Sequence, residues 1–196
     1  MQPTESDVPV RLPIRRVVIV GPDGLQPFRS TVHCPLKRSQ AVSDCLSCQR
    51  LRDADEHALR CQLPAGVVST RSLVGALIPE ETVVLDAELS AKEALALLNS
   101  SHAPSAPVVD DNDTLLGVVF TSELIGLAHS PHAEVEDALA PAVAVGEQVT
   151  VHQLVQLMES RNLERVQVVD EVGHLVGVVS ALDVVRWYSR TFCAPA

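Results

Sequence analysis

The feature that most constrains this chain is a phrase written twice, sixty residues apart. "LLGVVFTSE" at 115–123 returns as "LVGVVSALD" at 175–183, with Gly117-Val118-Val119 falling on Gly177-Val178-Val179. In the same register "VVD" at 108–110 falls on "VVD" at 168–170, and "SAKEALALL" from Ser90 falls on "TVHQLVQLM" from Thr150. Self-similarity at a fixed period marks one supersecondary unit used more than once.

The residues give the unit its elements. Ser90 with Glu93, and Thr150 with Gln153, have the spacing of capping boxes and lead into apolar residues at helical intervals, so each segment predicts an amphipathic helix. After each helix come a β-branched run ("PVVDD" or "QVVDE"), a polar tip ("NDT" or "VGH") and a second apolar run containing the glycine, which together predict a hairpin. A second helix is expected from about Ser122 to Ala128 in the first copy and from Ala181 to Arg190 in the second. The unit is therefore strand, helix, strand, strand, helix. Neither copy covers both faces of its small sheet alone, so the two are expected to pack as one α+β body.

Composition excludes several function classes. With 46% hydrophobic and 20% charged residues the chain reads as a folded globule. Aromatics at 3% argue against bases stacked on an open face. Residues 1–65 hold nine Lys/Arg and seven Asp/Glu, whereas residues 66–196 hold six and eighteen, a balance of −12 that repels a phosphate backbone; no nucleic acid is expected. No apolar stretch approaches the roughly 18 residues of a membrane span, and "MQPTESDVPV" lacks a basic start followed by an apolar run. The expectation is a cytoplasmic protein without membrane contact, in which five cysteines are metal ligands or free thiols.

The element order, the repeat length and the phrase Gly-apolar-apolar-Ser/Thr-x-x-Asp together resemble a pair of CBS domains, the type first described in cystathionine β-synthase, over residues 67–190. The resemblance implies that Ser180, at the N-cap of the last helix, and Asp183, one turn in, hold an adenosine-type ligand. The hydroxyl would donate to a phosphate at the helix N-terminus and the carboxylate would accept from the ribose. It further implies that Ile78, Val83, Ser105 and Ala106 line that cleft, with Val83 offering backbone groups to an adenine edge. Ser-x-x-Asp equally reads as a capping box in which both side chains serve the backbone. The first copy departs from the pattern. Phe120 stands where the hydroxyl would be, with Thr121 as a substitute if the helix starts later, and Glu123 carries an extra methylene. That second cleft, with Val143 and Arg165, is expected to be closed or altered, and Arg165 has an alternative reading as a solvated or Glu-paired side chain. Because Arg165 aligns with Ser105 and so belongs to the second cleft, the Ser180 cleft is expected to lack a cation and to favour AMP or S-adenosylmethionine over ATP.

Residues 33–61 carry Cys34, Cys45, Cys48 and Cys61, with gaps of ten, two and twelve residues. A pair two apart can place both sulfurs on one ion, and two flanking thiolates complete a tetrahedron. The pattern loosely resembles a zinc ribbon or rubredoxin-like knuckle. Three readings stand: structural zinc, a redox pair at Cys45 and Cys48, and an iron site or unliganded thiols. His33 and His57 are candidate substitute ligands whose favoured place is the surface, and Cys193 is expected as a spare thiol. "VRLPIRRVVIVGPDG" predicts a strand ending in a turn, and residues 1–8 are expected to be loose.

The expected organisation is a small β-rich metal-binding head at 1–65, joined through "QLPAG" to repeats at 66–130 and 131–192. The expected function is a non-catalytic regulatory protein that binds an adenosine-type ligand and carries a structural zinc head for contact with a protein partner or second subunit. The CBS resemblance implies a homodimer. The alternative is a ligand-free, zinc-stabilised scaffold. No phosphate loop, nucleophile elbow or His-Glu-x-x-His supports an enzyme.

Overall fold

The computed structural model describes residues 7–64 and 73–192. The proposed boundary "QLPAG" lies partly outside these residues, as does Cys193. The first repeat comprises β6 (Glu81–Asp86), α2 (Ala91–Ser100), β7 (Ser105–Val109), β8 (Leu115–Phe120) and α3 (Thr121–Leu127). The second comprises β9 (Ala144–Gly146), α4 (Val151–Ser160), β10 (Arg165–Val169), β11 (Leu175–Ser180) and α5 (Ala181–Phe192). The order matches the expected unit in both copies. Ser90 and Thr150 cap α2 and α4 as their spacing predicts, each accepting from the backbone N–H three residues on.

Ahead of the repeats lie β1 (Asp7–Gly21), β2 (Gly24–Cys34), β3 (Arg38–Ala41), the short helix α1 (Val42–Leu46), β4 (Leu51–Ala54) and β5 (Ala58–Pro64). The head was expected as a unit of its own, yet its strands continue the sheet of the first repeat. Residues 7–13 of β1 pair with β5, whereas from Ile14 onward β1 pairs with β2 and, in parallel, with β6. The resulting path is β3-β2-β1-β6-β7-β8, and β9, β10 and β11 form a separate three-stranded sheet. Asp7 and Val8, expected to be loose, already belong to β1 because Pro64 and Leu63 pair with them.

The two repeats interlock by exchanging the segments that precede them. Val74, Leu77 and Ile78, from the approach to β6, are buried with Leu154, Val166, Val168 and Val176 of the second repeat. Reciprocally, Ala133 and Val135, from the approach to β9, are buried with Leu85, Leu98, Val108 and Leu124 of the first. Each fully buried aliphatic side chain contributes about 1.5–3 kcal/mol as an upper estimate, so neither half keeps its core without the other. The repeated glycine follows from this exchange. A Cβ on Gly117 would lie 2.6 Å from the carbonyl oxygen of Ala140, and one on Gly177 would lie 2.2 Å from Cγ2 of Ile78. Each glycine is the hole that lets the exchanged segment cross its strand.

Polar contacts tie the head to the repeats, among them an ion pair between Arg38 of β3 and Glu171. Arg29 of β2 lies 3.6 Å from Asp113 and 3.7 Å from Asp170, the paired hairpin tips of the two repeats. Arg15 of β1 and His33 of β2 converge on Glu147, just past β9. Nδ1 of His33 is 2.8 Å from Oε2 of Glu147 and Nη1 of Arg15 is 3.7 Å from the same oxygen. His33 is thus largely covered at a seam, its side chain 9% exposed, contrary to its expected surface position, because the exchanged segment brings Gly75 against its ring. His57 is exposed as expected.

Candidate functional site

Pairing between β6 and β7 is confined to Leu85 with Val108 and Asp86 with Val109. Upstream of these pairs the strands part, and the gap is a cavity of about 320 Å³ lined by Glu81, Thr82 and Val83 on one side and Ser105, Ala106 and Pro107 on the other. Ser180, Asp183, Arg165 and Arg186 complete its wall. The structure therefore brings together five of the six residues expected for this cleft.

Ile78 is the exception. It is buried beneath Gly177 and borders a neighbouring cavity of about 500 Å³ that also includes Asp183, Arg186 and Trp187.

Ser180 and Asp183 form a complete capping box. The backbone N–H and the hydroxyl of Ser180 donate to Oδ2 of Asp183 at 2.9 and 2.5 Å, and the N–H of Asp183 donates to the Ser180 hydroxyl oxygen at 3.2 Å. Oδ1 of Asp183 is left for other donors, with Nη1 of Arg186 at 3.5 Å. Arg186 went unnoticed in the sequence, although its place three residues after Asp183 puts both on one helix face.

The second cleft is a cavity of about 330 Å³ that includes Phe120, Val143 and Arg165 together with Pro104, Leu163 and Gln167. Phe120 does not plug it, since the ring is 42% exposed at the rim. Thr121 and Glu123 do not line it. The Thr121 hydroxyl donates to the carbonyls of Ala103 and Pro104, and Glu123 lies exposed in the first turn of α3. The cleft is altered rather than closed: it has lost the hydroxyl–carboxylate pair but kept its volume.

Arg165 corrects a further expectation. It opens β10 directly opposite Ser180, and it lines both cavities. Its counterpart Ser105, opening β7, does the same. The first residues of these two strands meet where the clefts adjoin, so each lines the cleft expected for it and the neighbouring one as well. The Ser180 cleft has two guanidinium groups facing two carboxylates, and the argument for a ligand of low charge loses its basis.

In the head, Cys34 ends β2, Cys45 lies on α1, Cys48 follows in the next turn and Cys61 lies on β5; all four are free thiols. The fold gathers them closely enough to act on one another. Burial, reinforced by Cys34, Cys45 and Cys48, pushes the Cys61 thiol up to about 11, and Cys45 is raised by burial and then by Cys34 and Cys48. A raised Cys45 thiol counts against a reactive redox pair. Among the described residues, no three or more His, Cys, Asp or Glu side chains are posed as a coordination set, so the expected metal centre is not displayed.

Comparison with known proteins agrees with this architecture. The family model for the CBS domain matches residues 74–130 and 134–190, over half of the chain. The paired, interlocked repeats thus define a tandem CBS module, and the chain belongs to the CBS domain family. Among curated relatives, it is 32% identical over 112 residues to inosine-5'-monophosphate dehydrogenase of Halobacterium salinarum, covering 53% of this chain and 21% of that one. It is 29% identical over 143 residues to the magnesium transporter MgtE of Thermus thermophilus, covering 69% and 31%. The chain therefore spans only about a fifth to a third of these relatives. Among solved structures, CBSX2 in complex with AMP matches with TM-score 0.55 and 26% identity over 60% of this chain and 96% of that one. The cytosolic domain of the Mg2+ channel MgtE in complex with ATP matches with TM-score 0.53 and 26% identity, over 62% and 52%. Among the described residues no helix is long and apolar enough to cross a membrane.

Proposed function

We propose that this chain is a non-catalytic regulatory module of the cytoplasm that takes an adenosine-type ligand in the cleft between β6 and β7. The observation that carries the reading is the placement of Ser180 and Asp183 at the N-terminus of the twelve-residue helix α5, on the wall of a cavity that also holds Val83, Ser105 and Arg165. Oriented backbone N–H groups favour an anion at such an end, and a carboxylate one turn in is the natural acceptor for a ribose diol. The solved relatives with AMP and ATP support the ligand class. Binding regulates only if the ligand favours one arrangement of the assembly over another.

A thermal-shift screen with AMP, ADP, ATP and S-adenosylmethionine tests this, because a ligand that binds the native state raises its stability. At least one of the four is expected to shift the melt. Asp183→Ala is expected to weaken that ligand tenfold or more, from the loss of one or two hydrogen bonds to a charged group, each worth about 1.5–3 kcal/mol. A second reading, a ligand-free scaffold, draws on the capping box, which is complete without any ligand. Absence of a shift with all four compounds would favour it.

The four thiols are proposed as a structural zinc site that staples β2, α1 and β5, in keeping with a head of few core residues. The two-residue gap between Cys45 and Cys48, with Cys34 and Cys61 flanking it, supports this reading. Metal analysis of purified protein should find one zinc per chain; none, with four freely titrating thiols, would remove the site. The head is further proposed as a contact for a partner, and the module as a homodimer, which native mass spectrometry would read directly.

A further inference from the structure

Gln167, in the middle of β10, lines the Phe120 cleft. It is 4% exposed, yet among the described residues its side-chain amide makes no hydrogen bond. Unlike the sealed nitrogens of Arg15, its amide atoms open on the cavity. A buried amide costs free energy unless its donor and its acceptor are both met. Sixty residues earlier the same strand position is Pro107, which lines the Ser180 cleft with no polar side-chain group. The Phe120 cleft therefore differs from its counterpart twice: an aromatic ring stands in place of Ser180, and an amide in place of Pro107. Much of its remaining wall is apolar, with Pro104, Val118, Pro141, Val143 and Leu163 around the cavity, and the charges of Glu164 and Arg165 there are opposite. Nothing on it serves a ribose or a phosphate as Ser180 and Asp183 would: the Thr121 hydroxyl is spent on the carbonyls of Ala103 and Pro104, and Glu123 points elsewhere.

We propose that the Phe120 cleft is a site for an uncharged aromatic heterocycle that carries a hydrogen-bond donor beside an acceptor, a nucleobase or an aromatic carboxamide without ribose or phosphate. The Gln167 amide pairs with that edge through both its groups, the carbonyl oxygen accepting and the NH2 donating, as a glutamine does with an adenine edge. The apolar wall and the Phe120 ring at the rim cover the faces of the heterocycle. The two clefts of the module thus read different molecules, and this site does not depend on what the Ser180 cleft holds.

Isothermal titration of 9-methyladenine and nicotinamide into the full chain tests the proposal. Each is paired with a control that keeps the ring and lacks the N–H donor, 9-methylpurine for the first and methyl nicotinate for the second. At least one of the two ligands should bind at a single site per chain, about tenfold more tightly than its control. Gln167→Met, which keeps the length and removes the amide, should weaken that ligand by about tenfold, and Phe120→Ala by about threefold or more. Asp183→Ala should leave its affinity within about twofold, because Asp183 lines the other cleft. Thermal melts give a readout apart from binding: Gln167→Met should melt no lower than the unaltered protein, since the amide has no partner in the fold to lose. The proposal is overturned if neither ligand binds, if the controls bind as tightly, or if Gln167→Met keeps the affinity. A lowered melt for Gln167→Met would overturn it by giving the amide a role in the fold. Loss of binding in Asp183→Ala would overturn it by placing the ring in the Ser180 cleft.

Discussion

Replacing Glu147 with alanine is expected to cost about 3–5 kcal/mol of stability, the range for stranding a buried charge. Glu147 and Arg15 are each 3% exposed, and the carboxylate is the anion on which Arg15 and His33 converge. Burial already lowers the Arg15 pKa to about 10 against the opposing pull of Glu147, a measure of how poorly the site tolerates the cation. Nε and Nη1 of Arg15 have no hydrogen-bond partner among the described residues, and Nη2 donates to the carbonyl of Gly75. Without Glu147 nothing would compensate the charge. Urea denaturation at neutral pH measures the loss. The double variant Glu147→Ala with Arg15→Met should recover most of it, because removing the stranded charge removes its cause. If the single variant loses less than about 1 kcal/mol, Glu147 is not the anchor of this seam.

Gly177→Ala should be the second large effect. The added methyl would lie 2.2 Å from Cγ2 of Ile78 and 3.3 Å from Oγ1 of Thr82, and Ile78 is wedged in the core of the second repeat. Overpacking of this kind costs about 1–3 kcal/mol, more than the gain from replacing a glycine within a strand. A compensating change identifies the clash. Ile78→Ala alone opens a cavity and should cost about 2–5 kcal/mol, yet in combination with Gly177→Ala the losses should sum to less than their separate values. Strict additivity would show that the two residues do not contact, and the crossing of the exchanged segment over β11 would be wrong.

The repeats, their caps and their hairpins were legible because local chemistry decides them: Ser90 and Thr150 cap, and β-branched runs flank polar tips. The glycine of the repeated phrase was visible as a pattern but not as a cause, since its cause is contact with Ile78 or Ala140, residues far away in the chain. Arg15, His33 and Glu147 carried no signal for the same reason; the His33–Glu147 bond spans 114 positions. The continuity of head and first repeat was also hidden, because a strand sequence does not name its neighbour. At the cleft, Ser180, Asp183, Val83, Ser105 and Ala106, named from sequence, lie on the wall of one cavity. Ile78 borders the neighbouring cavity instead, and Arg165 lines the Ser180 cleft in addition to the second cleft expected for it, because the two clefts adjoin. The cysteines show the reverse case: their spacing was plain, and the fold gathers the thiols without displaying a coordination set.

The most direct test of the central claim is hydrogen exchange of the full chain with and without saturating adenine nucleotide. The account predicts slowed exchange confined to Glu81–Val83, Ser105–Pro107 and the first turn of α5, the segments that face one another across the cleft. Nucleotide binding that protects other segments while leaving these three unchanged would contradict it.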